Sequence, residues 1–363
     1  MAKYNIVISG YYGFDNAGDE AMLYSILRSL RALYPDAEIT VISGHPEKTA
    51  EVFGTKAVPR FGGWSIFKSL LHADLLISGG GSLLQDVTSS RSLLYYLSII
   101  GAGIVLRKKV VLYGQGIGPL HRKWVCALLG KILSHADAIT VRDEKSSLFL
   151  KKLGVSAPVY TTADSVLALP RVGLEEGREI LRAAGLTEGK KWIGISVRNW
   201  LEAEQWIAEF GSYVRQLLQE PVEIVFIAMQ YPDDQKTAES ICRGLPGERI
   251  HFLHQSFTAP QLMSIIGNLD LLVGMRLHAL IFAALMHVPL IGISYDPKID
   301  NFLAAIGKKS AFPISAFEAK TLYNKTVETM QEQRSAGDWE AVDALRRKAE
   351  ETAQILKKVV RRC

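Results

Sequence analysis

Short apolar runs alternate along this chain with longer segments whose apolar positions recur at helical spacing. In the first half the runs at residues 5–9, 38–43, 75–78, 110–114, 138–141 and 159–161 predict strands, with helices among them, notably over 20–33 and 93–106. Such alternation predicts α/β structure with a parallel, doubly wound sheet. The pattern breaks near residues 162–170, where a polar helix over 175–184 begins, and then restarts at 193–197, 224–229, 250–253, 271–273 and 290–294. A second sheet built like the first follows, although the halves share a pattern and no sequence repeat. From residue 331 the composition turns charged and alanine-rich, with Trp339, Val342, Leu345, Ala349, Ala353, Ile355 and Leu356 near helical spacing, so a closing helix is expected. The expected division is 1–166, 167–330 and a terminal helix over 331–363.

In open α/β sheets ligands bind beyond the carboxyl ends of the strands, so the residues at the strand exits carry the candidate chemistry. In the first half these exits are residues 10–18, Gly79-Gly80-Gly81-Ser82, Gly114-Gln115-Gly116-Ile117-Gly118-Pro119 and Arg142-Asp143-Glu144. In the second half they are Arg198-Asn199-Trp200, Gln230-Tyr231-Pro232-Asp233-Asp234, Tyr295-Asp296-Pro297-Lys298 and Gly274-Met275-Arg276-Leu277-His278. The last stands out, because the apolar run from Leu269 to Val273 precedes it and a buried helix is expected over 279–286. A helix N-terminus attracts anions, arginine offers a planar fork for phosphate or carboxylate, and histidine gives up a proton near neutral pH. Singly, each residue reads better as structural, Arg276 pairing with Asp270 and His278 as a satisfied core histidine. Together, on either side of Leu277 at a ligand edge, they favour function.

The first exit does not match the glycine fingerprint of dinucleotide-binding folds, and the second strand ends without the acidic residue that holds a ribose. Nicotinamide cofactors are not expected, and the phosphate-loop sequence of nucleotidases does not occur. That exit instead carries Asp15, Asn16, Asp19 and Glu20 for hydroxyl groups, with Tyr11, Tyr12 and Phe14 as flat surfaces for a sugar. One of Asn16 and Asp19 is expected to cap the following helix. Asp86 and Asp164 are further carboxylate candidates.

The 363 residues, 48% hydrophobic and 22% charged, describe an ordinary globular protein. Cys126, Cys242 and Cys363 form neither a disulfide framework nor a metal-ligand pattern, so a reducing compartment and no metal are expected. The first residues lead straight into a strand and a glycine turn, without the longer apolar core of a signal peptide. The longest uncharged apolar stretch, 93–106, falls short of the roughly 20 residues that span a bilayer. A net charge of +5 gathers at Arg107-Lys108-Lys109, at His121-Arg122-Lys123 beside Trp124, and at Lys357-Lys358 with Arg361-Arg362. Such clusters can hold a protein on an anionic surface, although each alone reads as a solvated face, and no nucleic-acid-binding motif accompanies them.

In these motifs the chain resembles the polysaccharide pyruvyl transferase family, and within it the CsaB-type enzymes that modify cell-wall polymers. The resemblance rests on residues 16–21, 79–86 and 114–119, on Arg142-Asp143 and Arg198, and above all on 275–280 followed by 295–298. It implies a GT-B-like fold of two facing Rossmann-like domains, the first on the acceptor side and the second on the donor side. It implies phosphoenolpyruvate as donor with no further cofactor, a saccharide acceptor that the family suggests is lipid-linked, and a pyruvate ketal as product. Among the implied site residues, His278, Arg276 and Asp19 would be catalytic, His278 as general acid and Asp19, Glu20 or Asp86 as proton acceptor. Arg276, Arg142, Arg198 and Lys298 would supply the cations that hold the donor, with Leu277, Asn16, Gly18, Glu20, Gly80, Gly81, Asp86 and Gln115 contributing to substrate binding. A cytoplasmic location is expected, with peripheral contact at the inner face of the cell membrane left open, as are the acceptor sugar and the oligomeric state. Two rivals stand beside this reading: a sugar-nucleotide glycosyltransferase of the same architecture, disfavoured because residues 279–295 contain no carboxylate, and a non-catalytic binder of anionic sugars.

Overall fold

The computed structural model describes residues 4–86, 90–199, 203–309, 312–313, 317–332 and 336–360. Of the expected features, Trp200, Arg361, Arg362 and Cys363 lie outside the described residues. The chain divides into two compact units, the first made of Met1–Phe14, Asp19–Leu169 and Leu345–Cys363, the second of Asp15–Gly18 and Pro170–Ala344. Residues 331–363 are therefore not a unit of their own.

The first unit holds β1 (Asn5–Ser9), β2 (Glu38–Ser43), β3 (Lys56–Pro59), β4 (Leu75–Ser78), β5 (Gly81–Leu84), β6 (Lys109–Ile117), β7 (Ala138–Val141) and β8 (Val159–Thr161). They form one sheet in the order β3-β2-β1-β4-β6-β7-β8, with β5 added on β6, and each pairing is parallel. Alternate strand residues supply two cores. Val7, Leu76, Val110 and Leu112 face a layer that includes the helices Gly63–His72, Ser90–Val105 and Lys123–Leu133. Ile6, Ile8, Leu75, Ile77, Val111 and Tyr113 face the helix Ala17–Leu33 and the last turns of Glu340–Val360, through Leu356 and Val360. The terminal helix thus docks on the first unit, where Thr352 Oγ1 also donates to Thr162 Oγ1 at 3.0 Å.

Two sequence expectations change here. Residues 115–117, expected as a loop, continue β6 as strand, because β5 pairs alongside at Gly81↔Gln115 and Leu84↔Ile117. Tyr12, expected as a flat surface for a sugar, is wholly buried in the core, where burial first and the charges of Asp19 and Glu20 next push its hydroxyl far above the usual range.

The second unit holds β9 (Lys191–Ser196), β10 (Val222–Phe226), β11 (Ile250–Phe252), β12 (Leu271–Gly274), β13 (Leu290–Ser294) and β14 (Phe312–Pro313), parallel in the order β11-β10-β9-β12-β13-β14. The helix Leu277–Leu285 begins two residues before the expected 279, and all of it except His278 is buried. That placement puts His278 in the first turn of the helix and makes Arg276 its N-cap residue.

Candidate functional site

In the second unit β9, β12 and β13 lie side by side, and β10 is next to β9. Their carboxyl ends bring together Arg198, Arg276, Tyr295 and the 229–234 turn, residues that the sequence separates widely. Arg276 does not pair with Asp270, whose Oδ2 accepts the Trp192 N–H at 2.7 Å. Its guanidinium instead forks onto Asp234: Nε donates to Oδ2 at 2.9 Å and Nη2 to Oδ1, with a further bond from Nη2 to Gln230 Oε1 at 3.3 Å. Asp234 Oδ2 also accepts the N–H groups of Met229 and Gln230, so this carboxylate ties the exit of β10 to the exit of β12. Burial raises the Asp234 pKa, and the adjacent guanidinium opposes that rise. Arg276, expected as a fork for phosphate or carboxylate, is thus also a fixing element of this edge.

The same turn anchors residues 15–18. Asn16 bridges Gln230 in antiparallel register, Ala17 N–H donates to Met229 O at 2.7 Å, and Asn16 Oδ1 accepts Gly18 N–H at 3.1 Å. Gly18 then lies against the His278 imidazole so closely that a β-carbon at position 18 would overlap Nδ1. Asn16 and Gly18, expected on the acceptor side, belong with the second unit because the 229–230 backbone holds them. Sequence reasoning missed Asp234 and Gln230 as site residues, although their place at a strand exit was legible.

Arg198 Nη1 donates to Tyr295 Oη at 2.8 Å, with Cζ 4.7 Å from the ring centroid. Lys298 Nζ stands 5.6 Å from the same ring and 3.3 Å from Asp296 Oδ2. Among the described residues Arg198 faces no carboxylate within ion-pair distance. Tyr295 thus stands between two cations beside the N-terminus of the helix Leu277–Leu285, an arrangement that suits an anion carrying more than one charge. Leu277 itself is buried packing.

In the first unit Arg142 is 9% exposed and committed: Nη1 donates to Asp164 Oδ2 at 3.2 Å and Nη2 to Ser82 Oγ at 2.9 Å. Position 116 must be glycine for it to lie there, since a β-carbon would come to 2.9 Å from Nε. Gln115, fully buried, donates through Nε2 to Ser78 Oγ at 3.0 Å and Gly79 O at 2.8 Å, fixing the glycine string of Gly80 and Gly81. The expected carboxylates separate by use. Glu20 Oε1 accepts the Gly13 N–H at 2.7 Å, and Asp86 accepts the backbone N–H groups of His121 and Arg122 together with His121 Nδ1. Those bonds hold the Asp86 carboxyl below its usual range against the opposing effect of desolvation. Asp19 lies over the glycine string, where a β-carbon at Gly81 would be 3.3 Å from its Oδ1. Tyr11 and Phe14 stack at 4.3 Å and flank Arg60, whose guanidinium lies within 5.7 Å of five aromatic ring centroids. Among the described residues no cluster of histidine, cysteine and carboxylate side chains could hold a metal ion.

Residues 16–297, from within the first strand exit to one residue short of Lys298, match the family described as polysaccharide pyruvyl transferase. The chain belongs to the polysaccharide pyruvyl transferase family. The chain is 18% identical over 360 residues to the amylovoran biosynthesis protein AmsJ of Erwinia amylovora, covering 83% of this chain and 86% of that one. Among solved structures it resembles UDP-GlcNAc 2-epimerase from Methanocaldococcus jannaschii, with a TM-score of 0.67, 12% identity and coverage of 98% and 100% of the two chains. It also resembles the ADP-heptose LPS heptosyltransferase II of E. coli, with a TM-score of 0.53, 15% identity and coverage of 90% and 98%. The chain therefore has the expected GT-B-like fold of two parallel-sheet Rossmann-like domains, a likeness of fold alone.

Proposed function

We propose that the protein moves the pyruvyl group of phosphoenolpyruvate onto two hydroxyls of one saccharide, forming a ketal and releasing phosphate. The supporting observation is the His278 imidazole, set in the first turn of the helix Leu277–Leu285 against Gly18, on an edge that Arg276 and Asp234 fix. Phosphate and carboxylate of the donor need several cationic or N–H partners. Arg198, Lys298 and the helix N-terminus are assigned that role, with Arg276 positioning them.

His278 gives a proton to the methylene carbon of the donor, which becomes a methyl group while positive charge develops at the neighbouring carbon. A sugar hydroxyl attacks that carbon, forming one C–O bond and losing its proton to a carboxylate, for which Asp19 is the candidate. The bond from the same carbon to the phosphate oxygen then breaks, phosphate leaves, and the second hydroxyl closes the ketal with loss of its own proton. The acceptor is assigned as a lipid-linked cell-wall polymer precursor of the CsaB-type substrate class, on the cytoplasmic face of the membrane.

The test is phosphate release from phosphoenolpyruvate with and without a saccharide acceptor, followed by mass spectrometry of the acceptor. Acceptor-dependent release with a pyruvyl increment is expected, and His278→Ala should abolish turnover at saturating donor. Full turnover by that variant would remove His278 from the role. Stabilisation of the protein by nucleotide sugars with none by phosphoenolpyruvate would overturn the reading.

A further inference from the structure

One face of the first unit is built differently from the rest of the molecule. The helices Gly63–His72, Ser90–Val105 and Lys123–Leu133 cover the same side of the sheet through Ile66 and Leu70, Leu93 and Leu97, and Val125 and Leu129. Between Glu51 and Asp74, and again between Asp86 and Asp137, the sequence contains no aspartate or glutamate. Within those stretches Lys68, Arg91, Arg107, Arg122, Lys123 and Lys131 are all exposed. The terminal helix on the other side carries both signs, as in Arg346, Lys348, Glu350 and Glu351.

The same acid-free helices, and the turn that leads into Gly63–His72, expose large apolar side chains. Phe61 is 84% exposed, Trp64 76%, Val105 81% and Trp124 54%, and the rings of Trp64 and Phe67 stack in solvent at 5.9 Å. Lys108 Nζ donates to Leu71 O at 2.7 Å, which joins the end of Gly63–His72 to the basic turn after Val105. Between Gly63–His72 and Ser90–Val105 runs an open groove of about 310 Å³, lined by Phe61, Ile66, Phe67, Tyr95 and Ala102 with Arg60 among them. Tryptophan with flanking lysine and arginine, on a helix too short and too charged to span a bilayer, suits the membrane–water interface.

We infer that this face docks the protein on an anionic lipid bilayer, with Trp64, Phe67 and Phe61 in the interfacial layer and the surrounding cations over the headgroups. Charge complementarity selects the occupant: three neighbouring helices that carry exposed bases and no acid suit an anionic partner, and exposed aromatic rings need an apolar phase beneath the charge. The inference goes beyond pyruvyl transfer and does not depend on it, because lipid binding is measured without donor or acceptor.

The test is sedimentation of the full chain with vesicles of phosphatidylcholine alone or mixed with phosphatidylglycerol, at low and high salt. Binding to the mixed vesicles only, weakened by salt, is expected. Lys68→Glu and Arg122→Glu should each weaken it at least about fivefold, since each basic residue near the surface contributes on that scale. The pair Trp64→Ser with Phe67→Ser should weaken it further, whereas Lys357→Glu, on the opposite face, should leave it unchanged. In the native chain, brominated lipid in the mixed vesicles should quench tryptophan fluorescence. Absence of binding at low salt, absence of quenching, or loss of binding with Lys357→Glu alone would overturn the inference. Capture by soluble dextran sulfate as strong as by vesicles, and indifferent to the aromatic substitutions, would assign the face to an anionic polymer and equally overturn it.

Discussion

Gly18 and His278, 260 positions apart in the sequence, are packed so that only a hydrogen can occupy the space between the backbone of one and the Nδ1 side of the other. Gly18→Ala must therefore turn the imidazole or move the 15–18 segment. A displacement of about an ångström at a reacting group can cost on the order of a hundredfold in rate. A fall in kcat of that scale, with the melting temperature and the KM for phosphoenolpyruvate nearly unchanged, is expected; unaltered kcat would show that the ring is not held for catalysis.

Asp234 and Arg276 form a nearly buried, forked ion pair. Removing one partner leaves the other charge uncompensated, so Asp234→Ala should destabilise the second unit by about 3–5 kcal/mol. Chemical denaturation of Asp234→Ala, Arg276→Met and the double variant checks this. The double variant should recover part of the loss, and strictly additive losses would mean that the pair is not coupled.

The Tyr295 hydroxyl accepts a hydrogen bond from Arg198 Nη1 at 2.8 Å. Tyr295→Phe removes a hydrogen bond to a charged group, worth about 1.5–3 kcal/mol, and frees the guanidinium to wander. The KM for phosphoenolpyruvate should rise by roughly tenfold or more, with the acceptor KM unaffected. Steady-state kinetics with each substrate varied separately decides it.

Glu223 is buried against Lys190 and His251, with Lys190 Nζ at 2.9 Å from Oε1. Desolvation would raise its pKa, but hydrogen bonds from Lys190, His251 and Thr187 outweigh it, and the carboxyl is held below its ordinary 4.5. The unfolded chain therefore takes up this proton first as pH falls. The stability from Glu223 is present above about pH 4.5 and is lost as pH drops through its lowered folded value. Unfolding free energies measured from neutral to acid pH should fall less steeply for Glu223→Gln than for the native chain, and parallel acid limbs would refute the assignment.

The sequence was most informative where a period or a residue type dictates local structure. The runs at β1, β2, β4, β7, β8 and β13 have the boundaries their pattern predicts, most plainly at β4, β7 and β13, where a parallel strand buried on both faces leaves a nearly continuous apolar string. It was less informative at the glycine strings. Residues 115–117 carry the composition of a loop, yet they are strand, because a pairing with Gly81–Leu84 outweighs local preference. The short β3 and the helix Gly63–His72, with its bare tryptophan, also went unread.

By itself the sequence determined two parallel α/β units, the strand exits as the place for chemistry, and Arg276 and His278 as residues at one such exit. Tertiary structure alone decided what each polar group touches. It gave Arg276 to Asp234 rather than Asp270, sent Tyr12 into the core, and used Glu20 and Asp86 on backbone N–H groups. It also set Gly18 against His278. The physical reason is one of range: strand and helix periods follow from neighbours in the chain, whereas an ion pair or a close approach depends on where distant strand ends come to lie.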